Sequence, residues 1–372
     1  MQAQYAPIGR FLILSAAFVI VVAGMRAAEP ILVPFLLSVF IAVIFSPPLA
    51  WLKKRGVANG LSICIVICVI VIAGLIMGYV VGKSVSDFRG DIPQYREKLA
   101  AIRDGALNWL IAMGAPIDEQ MLKDILNPGA ALNFAGDILA SFSGVMTNAF
   151  MILLTTIFIL AEEVGFSDKF RFAYRDSQIA LHAIGKSTAS INRYMAIKFS
   201  LSLLTGVLAM IWLIILGVDY YVLWGLLAFL LNFVPTLGSI IAAVPAVLLA
   251  LVQLGPTSAG LTALGYIVVN VGVGNVLEPR ITGKGLGLST LVVFLSLVFW
   301  GWALGPVGML LSVPLTMTIK IVLESFEDTQ WLGVMLGTGK QAAASIQSTE
   351  ATTVETNEVF TEQASDKQAP NQ

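Results

Sequence analysis

Charge is scarce in this chain. Only 12% of its 372 residues are Asp, Glu, Lys or Arg, about half the share found in a soluble globular protein. With 57% hydrophobic residues and a mean hydropathy of +0.86, there is too little polar material for a water-facing surface. Cysteine is nearly absent as well. Cys64 and Cys68 sit in one apolar run, which excludes a disulfide framework and leaves two small packing or lipid-facing residues. His182 is the sole histidine, so a His-based zinc site or a His-centred triad lacks raw material. No nucleophile–base pairing stands out either, and the chain does not read as an enzyme or call for a cofactor. A net charge of −1 provides no cationic excess for phosphates, excluding a nucleic-acid binder. Gly185-Lys186-Ser187-Thr188 resembles the end of a Walker A loop, but Ala180 stands where its first glycine is required. ATP-driven movement is therefore not expected.

What the chain has in abundance is apolar runs of the length needed to cross a bilayer. The expected fold is an all-α polytopic membrane protein. Phe11–Ala28, Pro30–Trp51 and Leu61–Gly82 read as three spans within residues 1–82, the first a retained helix rather than a cleaved signal. Lys53, Lys54 and Arg55 fill the short loop between the second and third spans. Such a cluster marks the cytoplasmic side and places the N-terminus there too. Residues 83–143 turn polar, with 6 basic and 8 acidic residues, and should form an extramembrane helical pair. Ile92, Tyr95, Leu99, Ile102, Ala106 and Trp109 make a heptad-like stripe there, suited to packing on the membrane-embedded body or on a neighbouring subunit. A fourth span lies within residues 144–162, and an amphipathic cytoplasmic segment occupies 163–198. Residues 199–323 form the apolar C-terminal core. Residues 324–372 form the cytoplasmic end, with a disordered tail expected from about 338.

The core opens with a fifth span, Phe199–Gly217, and then changes character. Tyr220–Gln253 is too long for one span and is broken at Pro235-Thr236-Leu237-Gly238; Leu288–Ile319 repeats the design, broken at Gly305-Pro306-Val307-Gly308. Half-elements of about 14 residues reach only about 21 Å, short of a hydrocarbon core about 30 Å thick. Two topologies fit: six full spans plus two re-entrant hairpins, or eight spans. Hairpins bring Arg280 and Lys284 to the cytoplasm and ordinary spans bring them outside, so the positive-inside rule favours hairpins.

Broken helices aim half-helix ends and freed backbone groups at the midplane, where polar solutes or ions bind. Asn232, Pro235 and Gly238 at the first break, and Gly305 and Pro306 at the second, are therefore candidate binding positions. The intervening span, Thr257–Glu278, adds Asn270 and Asn275 as uncharged donors and acceptors. On a regular helix these two asparagines lie about 140° apart, whereas Asn275 and Glu278 share a face. Glu278 is the candidate for coupling to a proton or sodium ion, with Arg280 beside it; an interfacial Glu278–Arg280 pair is the alternative. Arg26 and Glu29, closing the first span, read as an outer-interface ion pair.

Three blocks carry a family resemblance: Asn232-Phe-Val-Pro235-Thr-Leu-Gly238; Asn275-Val-Leu-Glu278-Pro279-Arg280-Ile-Thr-Gly283-Lys284-Gly-Leu-Gly287; and Trp300-Gly-Trp302-Ala-Leu-Gly305-Pro306-Val-Gly308 through Pro314. In this order they resemble the autoinducer-2 exporter family of permeases, over about residues 8–330. The resemblance implies a bacterial inner-membrane secondary transporter, homo-oligomeric, moving autoinducer-2 or a related small polar solute. Other members are associated with sodium(lithium)–proton antiport. Of a different class is a membrane scaffold or regulatory subunit whose polar segment binds a partner, a reading motivated by the stripe from Ile92 to Trp109.

Overall fold

A computed structural model describes residues 7–113, 148–173, 178–235, 237–282, 288–326 and 329–339. The expected second half of the polar segment, the Gly283–Gly287 part of the second family block and the tail beyond 339 lie outside the described residues. Among the described residues every regular element is helical. That is the economical solution for apolar sequence, because a helix satisfies its own backbone groups where no water is at hand.

The elements are α1 (Pro7–Ala27), α2 (Glu29–Lys54), α3 (Asn59–Ala112), α4 (Ala149–Ala173), α5 (Gln178–Leu216), α6 (Tyr221–Leu231) and α7 (Leu237–Leu254). They continue with α8 (Pro256–Asn270), a π-helical stretch (Val271–Leu277), α9 (Glu278–Thr282), α10 (Thr290–Glu324) and α11 (Gln330–Met335). Among the described residues six helices are long and apolar enough to cross a membrane, and three shorter apolar ones accompany them. Leu14, Ile20, Ile31, Leu75 and Phe150 are among many large apolar side chains left exposed, a surface suited to lipid. α3 runs without interruption from its apolar part through the polar sequence to Ala112, and Pro93 removes one donor without ending it. The Walker-like Gly185–Thr188 lies within helix α5 and forms no phosphate loop.

Both interrupted elements reverse the chain. α6 and α7 lie side by side, and the N–H of Asp219, before α6, is bonded to the Gln253 side chain at the end of α7 (3.0 Å). Their base and tip are thus 34 residues of out-and-back chain, hereafter hairpin 1. In α10 the Trp300 indole N–H donates to the Thr316 hydroxyl at 3.0 Å. Residues 16 apart on a straight helix would be about 24 Å apart. The reversal sits at Gly305, whose φ of 65° is in the left-handed region that glycine tolerates. Leu288 at the start of the first arm then packs with Val313 and Met317 of the second, completing hairpin 2.

The two hairpins point in opposite directions. The base of hairpin 1 meets α3: Phe88 and Tyr95 are buried against Val218, Leu223 and Trp224, with Ile92 and Leu99 packed beside them. This part of the stripe rests on the body of the same chain. The Tyr95 hydroxyl donates to Asp219 and the Tyr220 hydroxyl to Asp91. Burial, together with the Asp219 and Asp91 carboxylates, pushes the Tyr95 phenol up to about 12, so it remains a donor. The base of hairpin 2 lies at the other end of the body, against Tyr194 and Met195 of α5 and Phe40 and Val43 of α2. Its tip runs toward the start of α2, past Leu36, Val33 and Leu32.

Close helix contacts depend on glycine. A Cβ on Gly206 of α5 would come within 2.7 Å of the Gly225 carbonyl of α6, and one on Gly225 within 2.9 Å of the Gly206 carbonyl. These facing glycines let the two backbones touch, as small residues do in membrane interfaces. α2 and α4 are joined by the Ser38 hydroxyl, which donates to the carbonyls of Pro34 (2.7 Å) and Ile152 (3.0 Å).

Candidate functional site at the tip of hairpin 1

Asn232 is the residue at which α6 ends, and the chain then turns through Phe233, Val234 and Pro235 before α7 begins. The turn is tight. A Cβ on Gly238 would lie 1.8 Å from the Leu231 carbonyl oxygen, so only glycine lets α7 start there. Phe233 is buried with its ring edge-on to Phe40 of α2, and Phe229 stands between Phe233 and Phe199 of α5. This aromatic packing fixes the depth of the tip.

Polar ties hold the tip to both neighbours. The buried Asn232 amide donates to the Ser202 hydroxyl of α5 at 3.0 Å. On the other side, the Asn270 amide of α8 donates to the Ser239 hydroxyl of α7 at 2.8 Å. One helical turn before Ser202, the Lys198 ammonium reaches both carboxylate oxygens of Glu278, at 3.0 Å each. The Lys198 side chain is 7% exposed and that of Glu278 24%. Removing Glu278 would strand the buried Lys198 charge, which costs about 3–5 kcal/mol in a fully buried pair and less here, where Glu278 keeps part of its solvent.

The approach of Glu278 to Lys198 depends on the π-helical stretch. Its Glu278 N–H bonds to the Val273 carbonyl, an i to i−5 step that widens the helix and changes the angular register. Two sequence-level expectations change as a result. The regular-helix geometry for Asn270, Asn275 and Glu278 does not apply: Asn270 is tied to Ser239, Asn275 is exposed, and Glu278 turns to α5. The partner of Glu278 is Lys198, not Arg280, which is exposed.

The second break is separate from this cluster. Gly305 and the exposed Pro306 lie at the tip of hairpin 2, with the Glu29 carboxylate 3.4 Å from where a Gly305 Cβ would be. Arg26 does not pair with Glu29. Its guanidinium lies over the Trp302 ring, 4.8 Å from the centroid, because the first arm of hairpin 2, just before its reversal, puts that ring at the α1–α2 junction. Of the sequence candidates, the fold therefore groups Asn232, Pro235, Gly238, Asn270 and Glu278 around hairpin 1, and leaves Gly305 and Pro306 beside Glu29.

Sequence reasoning missed Lys198, Ser202 and Ser239. A signal existed for the first two: Lys198 is the last charge before an uncharged run, and Ser202 follows it by one turn on the same helix. Ser239, one hydroxyl in an apolar helix, offered none.

An all-helical body of long apolar helices with two opposed broken hairpins and a polar cluster at one tip defines a polytopic membrane protein of transporter type. Residues 13–328 match the family described as AI-2E family transporter. The chain is 38% identical over 327 residues to AI-2 transport protein TqsA of Escherichia coli strain K12, covering 88% of this chain and 95% of that protein. It is 40% identical over 331 residues to a Haemophilus influenzae protein named "Putative transport protein", covering 87% and 94%. It is 35% identical over 325 residues, 87% and 93%, to Escherichia coli YhhT, which bears the same designation. The chain belongs to the AI-2E family of membrane transporters.

Proposed function

We propose that this protein is a secondary transporter that exports a small polar solute, autoinducer-2 or a related hydroxylated molecule, across the bacterial inner membrane. The observation that carries the reading is the run of uncharged hydrogen-bonding groups at the hairpin 1 tip, Asn232–Ser202 and Asn270–Ser239, beside the Lys198–Glu278 pair. Such groups suit a polyhydroxylated solute better than a large lipid. The name of the TqsA relative points to the same solute class. Transport proceeds by alternating access, with both hairpins re-entrant and both termini in the cytoplasm. Glu278 couples the cycle to a proton or sodium ion, and the protein works as a homo-oligomer.

The test is efflux and uptake of autoinducer-2 in proteoliposomes with imposed proton or sodium gradients. Saturable, gradient-dependent flux lost in Asn232→Ala supports the reading. Absence of flux under every gradient, from protein that is folded and inserted, overturns it. A sodium–proton antiporter is the second reading, favoured by the one observation that Glu278 is a half-buried carboxylate already holding a cation. Sodium-driven proton movement in solute-free vesicles would select it.

A further inference from the structure

Two buried lysines occur among the described residues, and they differ in how they are neutralised. Lys320 pairs within its own helix with Glu324, four residues on, at 3.2 Å. Lys198 is instead neutralised by a carboxylate 80 residues away, on a short helix aimed at it by a π-helical stretch. The two partners are also unequally covered. The Lys198 side chain is almost wholly enclosed at 7% exposure, while that of Glu278 keeps 24%, so solvent reaches Glu278 more readily than Lys198.

We propose that Glu278 is a monovalent-cation site in which Lys198 is the resident, tethered cation, displaced when a mobile one binds. The inference rests on the transport reading above and adds the identity of the competitor. An ammonium gripping both oxygens at 3.0 Å fills the place that a sodium ion, a lithium ion or a proton would take on that carboxylate. A carboxylate at this depth is costly without a cation, so charge is conserved if one cation replaces another. Departure of Lys198 also frees α9 from α5 one turn from Ser202, the residue that holds the tip through Asn232. Cation exchange at Glu278 and release of the tip are thereby linked. The groups facing Glu278 from α5 are Lys198 and the buried Tyr194; Arg193 and Arg280 are exposed.

The test is thermal unfolding of the purified full-length protein in nanodiscs, at constant ionic strength, as sodium or lithium chloride replaces choline chloride, repeated across pH. Lys198→Gln should become stabilised by the mobile cation with a half-saturating concentration at least tenfold below wild type. A response to sodium or lithium identifies a metal cation, and a response to falling pH alone identifies the proton. Glu278→Gln should abolish the response in either background. The double variant Lys198→Gln/Glu278→Gln should show no cation response and lose gradient-driven accumulation of autoinducer-2 in proteoliposomes. The proposal is overturned if Lys198→Gln responds to cations as wild type does, or if the double variant restores both stability and accumulation, as a purely structural pair would. Vesicles that move no autoinducer-2 while the cation response persists would sink the solute reading and leave this one standing.

Discussion

The two hairpins solve the same problem by different means. Hairpin 1 is tied into the body by polar bonds at both ends: Asp219–Gln253, Tyr95–Asp219 and Tyr220–Asp91 at its base, Asn232–Ser202 and Asn270–Ser239 near its tip. Among the described residues, hairpin 2 is tied between its arms by Trp300–Thr316 and at its base by the Ser289 N–H to the Leu336 carbonyl, and packs through apolar side chains against α1, α2 and α5. Glu29 and Arg26 lie at its tip. Their reversals differ too. Each is closed by a glycine that leaves no room for a Cβ, Gly238 against the Leu231 carbonyl and Gly308 against the Trp300 carbonyl, but only hairpin 2 also turns on a positive φ, at Gly305. Apolar packing defines position while leaving few directional bonds, whereas a hydrogen-bonded tip presents donors and acceptors at fixed places. This is why the proposed recognition site is placed on hairpin 1.

The comparison is broken or sharpened by matched substitutions. Gly238→Ala should have the largest effect, about 3 kcal/mol or more, because the new methyl group meets backbone that cannot move aside. Gly305→Ala should cost about 1–3 kcal/mol, the penalty of a backbone conformation that essentially only glycine adopts. Melting of the purified variants ranks them, and an equal or reversed ranking would mean that backbone contact at Gly238 costs no more than the backbone conformation at Gly305. Asn232→Ala should destabilise by about 1–3 kcal/mol by depriving the buried Ser202 of its partner, and should also suppress transport. Trp300→Phe should cost about 1 kcal/mol for one lost bond and leave transport rates near wild type. Equal transport defects in these two variants would mean that recognition is shared between the hairpins. Arg280→Ala should leave melting unchanged, since its exposed side chain is not the partner of Glu278. A substantial loss there would reinstate the Glu278–Arg280 pair.

Much of the fold was legible from the chain because a bilayer leaves few options. Apolar run length gave the spans, and Pro235, Gly238 and Gly305 located both reversals, since few residues allow a helix to turn back. The site was less legible. Asn232 and Asn270 were visible as amides near a break, but their partners Ser202 and Ser239 are hydroxyls that look alike on any helix face. Glu278 was visible as a charge, and its partner was misassigned to the neighbouring Arg280. Local spacing cannot anticipate a π-helical stretch, which depends on packing around Val271–Leu277 rather than on residue preference. The Arg26–Glu29 pair failed for a related reason, because Trp302 arrives from almost 280 residues downstream.

The continuity of α3 has a mechanical consequence. From Asn59 to Tyr95 the helix rises through 36 residue steps, a lever arm about 54 Å long. Bilayer helices absorb a mismatch in hydrocarbon thickness by tilting, and a tilt of about 5° about the Asn59 end would sweep the far end through about 5 Å. That sweep exceeds the 3.4 Å separating the Tyr95 hydroxyl from Asp219. Because Phe88 and Tyr95 are buried against the base of hairpin 1, strut and hairpin base must tilt together for that bond to hold.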